Sequence, residues 1–66
     1  MIESKFYVLD GGDSVRDYCD VIIQELKKHG HHVVYYETDL PTLMQLEEVD
    51  EDTFLDHYRS YLKTNN

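Results

Sequence analysis

The chain lacks most of the devices that small proteins use to reinforce a thin core. It has 66 residues, no tryptophan and a single cysteine, so no disulfide can form within one chain. A chain of this length buries only about 60% of its unfolded surface. Domains of this size usually need a disulfide, a metal or a partner chain. We therefore predict one small domain with a marginal core, residues 1–66, and a frayed tail at residues 64–66.

Long apolar runs are also missing. No segment approaches the roughly 20 apolar residues of a membrane span, and the N-terminus lacks the cationic region of a signal peptide. The lone cysteine, Cys19, lies within a helical apolar pattern, which suits a reducing compartment. These features predict a cytoplasmic protein that does not contact a membrane.

Positive charge is the third deficit. Six basic residues face fourteen acidic ones, and the formal net charge is −8. No lysine or arginine occurs between Lys28 and Arg59. So large a negative charge opposes binding to nucleic acid and to anionic membranes. We therefore expect no direct nucleic-acid partner.

The first half of the chain has the pattern of a strand–helix–strand unit. The run from Lys5 to Leu9 is apolar on both alternating faces, which is typical of a strand covered on both sides. Gly11 and Gly12 end it and are free to take positive φ. Ser14 then resembles the N-cap of a capping box, with Asp13 as the competing cap.

An amphipathic helix follows this break. Its apolar residues recur at spacings of three and four, and they are Val15, Tyr18, Cys19, Ile22, Ile23 and Leu26. Lys27 and Lys28 complement the helix dipole, and Gly30 supplies a C-terminal cap. The segment His31–Tyr36 is a second strand that is apolar on both faces. Short loops then predict a parallel, right-handed βαβ unit.

The remaining residues predict helices that cover this unit. From Thr42 to Val49 a spacing of three favours a short helix, although a third strand remains possible. Asp50 is a suitable N-cap for a last helix. Its apolar stripe consists of Phe54, Leu55, Tyr58, Tyr61 and Leu62. The predicted fold is α/β in the order β-α-β-α: a βαβ unit followed by one or two C-terminal helices.

Residues 11–34 carry a resemblance to a known type of unit. Gly11 and Gly12 precede a helix, and Gly30, His31 and Val33 then enter the second strand. This order resembles the opening βαβ unit of Rossmann-like enzymes, most of all the first unit of two-domain glycosyltransferases. The resemblance implies a topology and no functional residue. A Rossmann-like nucleotide- or sugar-binding fragment is one alternative, but acidic residues flank the glycines where a phosphate would lie.

Candidate catalytic and metal-binding residues are few. His29, His31 and His32 are close in sequence, and His57 and Cys19 could approach one another in space. Adjacent residues on a strand point to opposite faces, which separates His31 from His32. His29 and His31 lie on either side of Gly30 and could share an ion, but two ligands make a weak site. No serine stands beside a histidine. We predict a non-enzymatic protein without metal or cofactor, with Cys19 buried and its pKa raised.

The distribution of acidic residues is the least random feature. Five acids fall between positions 47 and 52, and a three-four spacing places others on one stripe of the first helix. An ordinary solvated surface is one interpretation, since several of these acids favour helix N-termini. A binding surface is the other. The predicted partner-binding residues are Glu47, Glu48, Asp50, Glu51, Asp52, Asp56, Asp13, Asp17 and Asp20.

The leading functional hypothesis is a small inhibitor that occupies the basic, nucleic-acid-binding surface of a partner protein, with carboxylates in place of phosphates. Size, acidity and the lack of catalytic residues resemble, in type, the small proteins that bacteriophages use against host enzymes, such as DNA mimics and anti-CRISPR proteins. Tyr35, Tyr36, Tyr58 and Tyr61 are candidate aromatic anchors. The alternative is a self-associating regulatory or adaptor module, a homodimer formed through exposed strand edges.

Overall fold

The structure is a computed structural model that describes residues 3–64, with side chains described for residues 3–60. The elements are β1 (Phe6–Gly11), a 3-10 turn (Asp13–Val15), α1 (Arg16–Lys28), β2 (His32–Glu37), β3 (Met44–Val49) and α2 (Glu51–Thr64). The strands form one mixed sheet in the order β2-β1-β3. Strand β1 lies in the centre, parallel to β2 and antiparallel to β3.

The predicted β-α-β-α architecture, in which only helices follow a βαβ unit, is wrong. Residues 44–49 form a strand, so the sheet has three strands and a mixed order. Strand β1 pairs with β2 along one edge and with β3 along the other, so β3 fills the edge that a βαβ unit alone would leave free. The spacing of three that favoured a helix was misleading, because β3 is exposed along most of its length and carries no burial pattern. Of the predicted frayed tail, residue 64 is the last of α2, and residues 65 and 66 lie outside the described part.

The two helices cover opposite faces of the sheet. Residues opposite one another in the register share a face, so Val8, Val34 and Glu47 lie on one side and Leu9 and Leu46 on the other. Val8 and Val34 pack with Phe54 of α2 to form the core of one face. On the other face Leu9 and Cys19 of α1 are fully buried. We call these the α2 face and the α1 face.

The start of α1 differs from the predicted cap. Neither Ser14 nor Asp13 makes a side-chain capping bond, and the N-cap position is Val15. A 3-10 turn precedes the helix, in which the Val15 N–H donates to the Gly12 carbonyl at 3.2 Å. Gly12 is extended (φ −98°), not at the positive φ that its composition allowed. Glycine is required there because a Cβ would collide with the Leu40 carbonyl.

The other helix ends agree with the sequence. Gly30 has φ 84°, its N–H donates to Lys27 at 3.0 Å, and the His31 N–H donates to Leu26 at 2.9 Å. This pair of bonds is a Schellman motif, so the predicted glycine cap is confirmed. At the start of α2 the Asp50 carboxylate accepts the Thr53 N–H at 2.8 Å, which confirms Asp50 as the N-cap.

Helix α1 lies over β1 and β2 and leaves β3 largely uncovered. It can approach the sheet closely because Gly11 has no side chain: a Cβ there would overlap the Cys19 Sγ atom. Tyr18, which the spacing placed on the buried face, is 66% exposed instead. Met44 and Leu46 of β3 remain 46% and 43% exposed. On the α1 face, therefore, the half of the sheet formed by β1 and β2 is covered, whereas the half formed by β3 is open.

Candidate functional site

Six of the predicted partner-binding acids lie together in sequence, where β3 ends and α2 begins. All six side chains are exposed. This group, the β3–α2 acidic cluster, comprises Glu47, Glu48, Asp50, Glu51, Asp52 and Asp56. Glu47 and Glu48 are neighbours on a strand, not on a helix as expected, so their side chains point to opposite faces of the sheet. The cluster therefore curves around the β3 edge and does not form a flat patch.

Local contacts hold part of this cluster. Lys5 Nζ lies 3.9 Å from Glu48 Oε1, an exposed pair that stabilises the fold little. Hydrogen bonds from Thr53 hold the pKa of Asp50 below its usual value, so this carboxylate stays ionised at a lower pH than an ordinary aspartate does. Glu51 and Asp52 lie in the first turn of α2, where the helix dipole favours negative charge.

The three predicted acids of the first helix form a separate group. Asp13, Asp17 and Asp20 are all exposed, in the 3-10 turn and the first half of α1. Helix α1 covers the opposite face of the sheet from α2. These residues also follow the carboxyl end of β1, whereas the β3–α2 acidic cluster lies at its amino end, about 17 Å away along the strand. The structure does not bring the nine predicted residues onto one surface.

The acidic group at the carboxyl end of β1 includes one residue that the prediction omitted. A hydrogen bond that the Asp13 carboxylate accepts from the protonated Glu37 carboxyl, together with the charge of Asp13, raises the pKa of Glu37 at the end of β2, and Arg16 partly opposes this. Two carboxyl groups that share a site ionise less readily than either alone. Glu37 was not selected because it has no acidic neighbour in sequence, and β2 is what brings it to Asp13.

The Gly-Gly loop has no free cradle of amides for a phosphate. The Gly12 N–H donates to the Leu43 carbonyl and the Ser14 N–H donates to the Pro41 carbonyl, both at 2.9 Å. The Val15 N–H is also used within the turn. Phosphate sites at helix N-termini depend on amides that point at the ligand. The segment between β2 and β3 occupies this position, which argues against the nucleotide-binding alternative.

The clustered histidines each have a structural contact. His31 lies on the α1 face, where its Nδ1 accepts the Lys5 N–H at 3.1 Å and its ring meets Tyr7 edge-on. His32 lies on the α2 face and stacks on Phe6 with ring centroids 5.0 Å apart. The two side chains point away from each other, as neighbours on a strand must.

The other candidate ligands are equally dispersed. His29 Nε2 lies 3.0 Å from Glu25 Oε1, one turn back on α1. His57 contacts Tyr36 on the α2 face, whereas Cys19 is buried under α1 on the other side of the sheet. Within residues 3–60 no group of three His, Cys, Asp or Glu side chains is arranged to hold a metal ion.

Cys19 has the environment that the sequence predicted. Its side chain is fully buried, and burial, reinforced by the nearby Asp20 charge, raises the pKa of the thiol. A thiol whose pKa is raised forms little thiolate, which is the reactive species. Cys19 therefore acts as a small apolar residue beneath α1.

Two of the predicted tyrosine anchors serve the fold. The Tyr35 hydroxyl donates to the Gly11 carbonyl at 3.2 Å, and the Tyr36 hydroxyl donates to the His57 carbonyl at 2.6 Å. Both rings are half-buried, and burial raises the pKa of both hydroxyls. Tyr58 is 44% exposed, whereas the side chain of Tyr61 lies outside the described part.

Sequence reasoning missed a groove along the outer edge of β2. It has a volume of about 580 Å³, and both helices contribute to its walls. Lys27 comes from α1, His31 and Val33 from the β2 region, and Leu55 and Tyr58 from α2. The one sequence feature that points to this groove is the apolar character of β2 on both faces, which by itself predicts only that the two faces of the strand are buried.

No family model, no curated protein and no solved structure matches this chain with significance. Among residues 3–64, neither helix combines the length and the apolar character that crossing a membrane requires.

Proposed function

We propose that this chain is a small, non-catalytic acidic protein that inhibits a partner by occupying the partner's basic, nucleic-acid-binding surface. The β3–α2 acidic cluster supplies the contacts, with its carboxylates in place of backbone phosphates. The partner is a protein, and this chain does not bind nucleic acid itself because its net charge of −8 repels the phosphate backbone. We place the interaction in the cytoplasm, where a lone cysteine stays reduced.

The observation that carries this proposal is the exposure of all six carboxylates of the cluster. Lys5 lies close to Glu48, and among the residues that the structure describes it is the one cation found paired with this cluster. Self-repulsion among so many acids is a cost to a fold with so small a core. Asp50 has a structural role as a cap, but Glu47 and Glu48 stabilise no described helix.

The spacing of these carboxylates is compatible with phosphate mimicry. Asp52 and Asp56 lie one turn apart on α2, so their Cβ atoms are about 5–6 Å apart. Phosphates along one strand of duplex DNA follow one another on a comparable scale, with about 3.4 Å of axial rise per nucleotide in addition to the helical path. Guanidinium groups that bind phosphates also bind carboxylates in the same bidentate geometry.

The test is capture of partners at low salt from the source cell or its host, followed by elution with a salt step. The captured proteins should be nucleic-acid-binding proteins, and added duplex DNA should compete with this chain and release them from it. Reversal of Glu48, Glu51 and Asp52 to lysine should reduce the captured amount at least about tenfold, since each exposed pair contributes modestly and three are reversed together.

The matched control is reversal of Asp13, Asp17 and Asp20 to lysine, which changes the net charge equally on the other face. This control should retain most of the binding. Equal losses in the two triple variants would mean that net charge alone determines capture. Binding that is insensitive to salt, or unaffected by reversal of the cluster, would contradict the proposal.

A further inference from the structure

We propose that a second copy of this chain pairs with the free edge of β2 in antiparallel orientation, which joins two three-stranded sheets into one of six strands. This inference does not depend on the proposed function, because it concerns the opposite edge of the sheet. It rests on the backbone of β2, the groove beside it, the charges at its two ends and the surface area of the chain.

The backbone groups of alternate β2 residues point away from the sheet. The His32 N–H donates to the Lys5 carbonyl and the Thr38 N–H donates to the Gly11 carbonyl, both at 2.9 Å. Even-numbered residues of β2 therefore face β1, since the bonding direction alternates along a strand. The N–H and C=O groups of Val33 and Tyr35 point outward, and no described strand pairs with them. Such an edge is a template for another strand.

The groove beside this edge gives an incoming strand apolar walls. Leu55 and Tyr58 of α2 are 38% and 44% exposed there. A second cavity of about 220 Å³ lies next to the groove, where Ile23 of α1 and Tyr35 of β2 add to its apolar lining. Residues of both helices therefore flank this edge, one helix on each face of the sheet.

Opposite charges mark the two ends of β2. Lys27 and His31 lie at its amino end. Glu37 lies at its carboxyl end, with Asp13 against it. Antiparallel pairing with a second copy brings the basic end of each β2 against the acidic end of the other. Parallel pairing would bring like charges together, which is unfavourable.

The register that uses the whole strand places Val34 on the two-fold axis. Val33 then lies opposite Tyr35 of the second copy, and both present outward backbone groups. His31 lies opposite Glu37 of the second copy on the α1 face. The interface is isologous, so each of these contacts occurs twice.

The accessible surface of the chain is large enough to supply such an interface. It is 5121 Å², and a standard protein–protein interface takes roughly 800 Å² from each partner. The β3 edge is a poorer alternative, because two paired β3 strands would place four glutamates, Glu47 and Glu48 of each copy, in one short ladder.

The test compares proline substitutions at the two edges by sedimentation velocity over a range of concentrations. The wild-type chain should sediment at twice the 7.9 kDa mass. Val33→Pro removes an outward N–H and leaves the bonds between β2 and β1 in place, so the variant should fold but associate weakly. Because symmetry removes the bond twice, we expect the dissociation constant to rise about 30-fold or more.

Leu46→Pro is the matched control. The Gly12 N–H donates to the Leu43 carbonyl, so odd-numbered β3 residues face β1 and Leu46 presents its N–H to the free β3 edge. This variant should remain a dimer. A monomeric wild-type chain, a Val33→Pro variant that dimerises normally or a Leu46→Pro variant that is a folded monomer would each overturn the proposal.

A pair of charge reversals decides the matter if Val33→Pro fails to fold, as circular dichroism would reveal. Lys27→Glu and Glu37→Lys should each weaken the dimer about tenfold. The two substitutions together restore opposite charges across the interface and should restore association. The antiparallel arrangement would be overturned if neither single reversal changed the dissociation constant. It would also be overturned if the losses of binding free energy from the two reversals simply added in the double variant.

Discussion

Strands β2 and β3 both flank β1, but their outer edges present different surfaces. Beside β2 the two helices form an apolar groove, and the outward backbone groups belong to Val33 and Tyr35. Beside β3 the helices leave most of the strand exposed, and the side chains that surround its edge include Glu47 and Glu48. One edge has the properties of a pairing surface, whereas the other carries charges that disfavour pairing.

The difference indicates how a short chain can divide two tasks between the edges of one sheet. The core is small: among the described residues five apolar side chains are buried, so the proposed association along β2 would add burial to the fold. Acidic side chains around β3 disfavour pairing at that edge. In the proposed dimer both β3 edges would lie at the outer ends, where their acidic side chains would remain available for the proposed basic partner.

The largest stability effect that we predict concerns the close approach of α1 to the β2 side of the sheet. Gly11→Ala should destabilise the fold by about 1–3 kcal/mol, because the new Cβ overlaps the buried Sγ of Cys19. Leu46→Ala, on the uncovered β3 side, should change stability by no more than about 0.5 kcal/mol. Urea denaturation at fixed protein concentration measures both values.

A double variant isolates the cause of that loss. Cys19→Ala removes the Sγ atom, so Gly11→Ala in the Cys19→Ala background should cost clearly less than in the wild-type chain. If the two substitutions are additive, the overlap with Cys19 is not what requires glycine at position 11, and the explanation of why α1 lies over β1 and β2 fails.

A smaller effect concerns Asp50, which belongs to the β3–α2 acidic cluster and also caps α2. Because the folded pKa of Asp50 is lowered by the bond from Thr53, this contribution to stability is complete above the usual aspartate pKa, near 3.8. It is lost as the pH falls through the lowered folded value. Asp50→Asn keeps a capping oxygen but does not titrate, so its unfolding midpoint should decline less in acid than that of the wild-type chain.

Urea midpoints measured between about pH 7 and about pH 2 give this difference directly. Asp56→Asn is the matched control, because Asp56 is an exposed acid of the same helix that lies beyond its first turn. If Asp50→Asn and Asp56→Asn have the same acid dependence, then the Asp50 cap is not the source of the effect.

The sequence was sufficient to predict the elements that local chemistry determines. The apolar spacing gave α1, Gly30 gave its C-terminal end, and Asp50 gave the start of α2. The N-cap of α1 was predicted wrongly, because residues 13–15 form a 3-10 turn ahead of the helix, in which the Ser14 N–H donates to the Pro41 carbonyl of a distant part of the chain. Such a bond has no signature in the residues around position 14.

Strand β3 was not predicted because its alternation of apolar and polar residues is short and is obscured by flanking apolar residues. Met44 and Leu46 alternate with polar residues, but Leu43 and Val49 extend the apolar set to a spacing of three. An edge strand exposed on both faces has little burial to impose a period of two. The acidic residues were recognisable from composition, but their division into two groups depends on which face of the sheet each helix covers.

Amide hydrogen exchange tests the difference between the two edges most directly, because the outward N–H groups of both strands report in one sample. Our account predicts that Val33 and Tyr35 exchange slowly, and faster as the protein is diluted, whereas Leu46 and Glu48 exchange rapidly at every concentration. Rapid, concentration-independent exchange at Val33 and Tyr35, or equal protection at both edges, would contradict it.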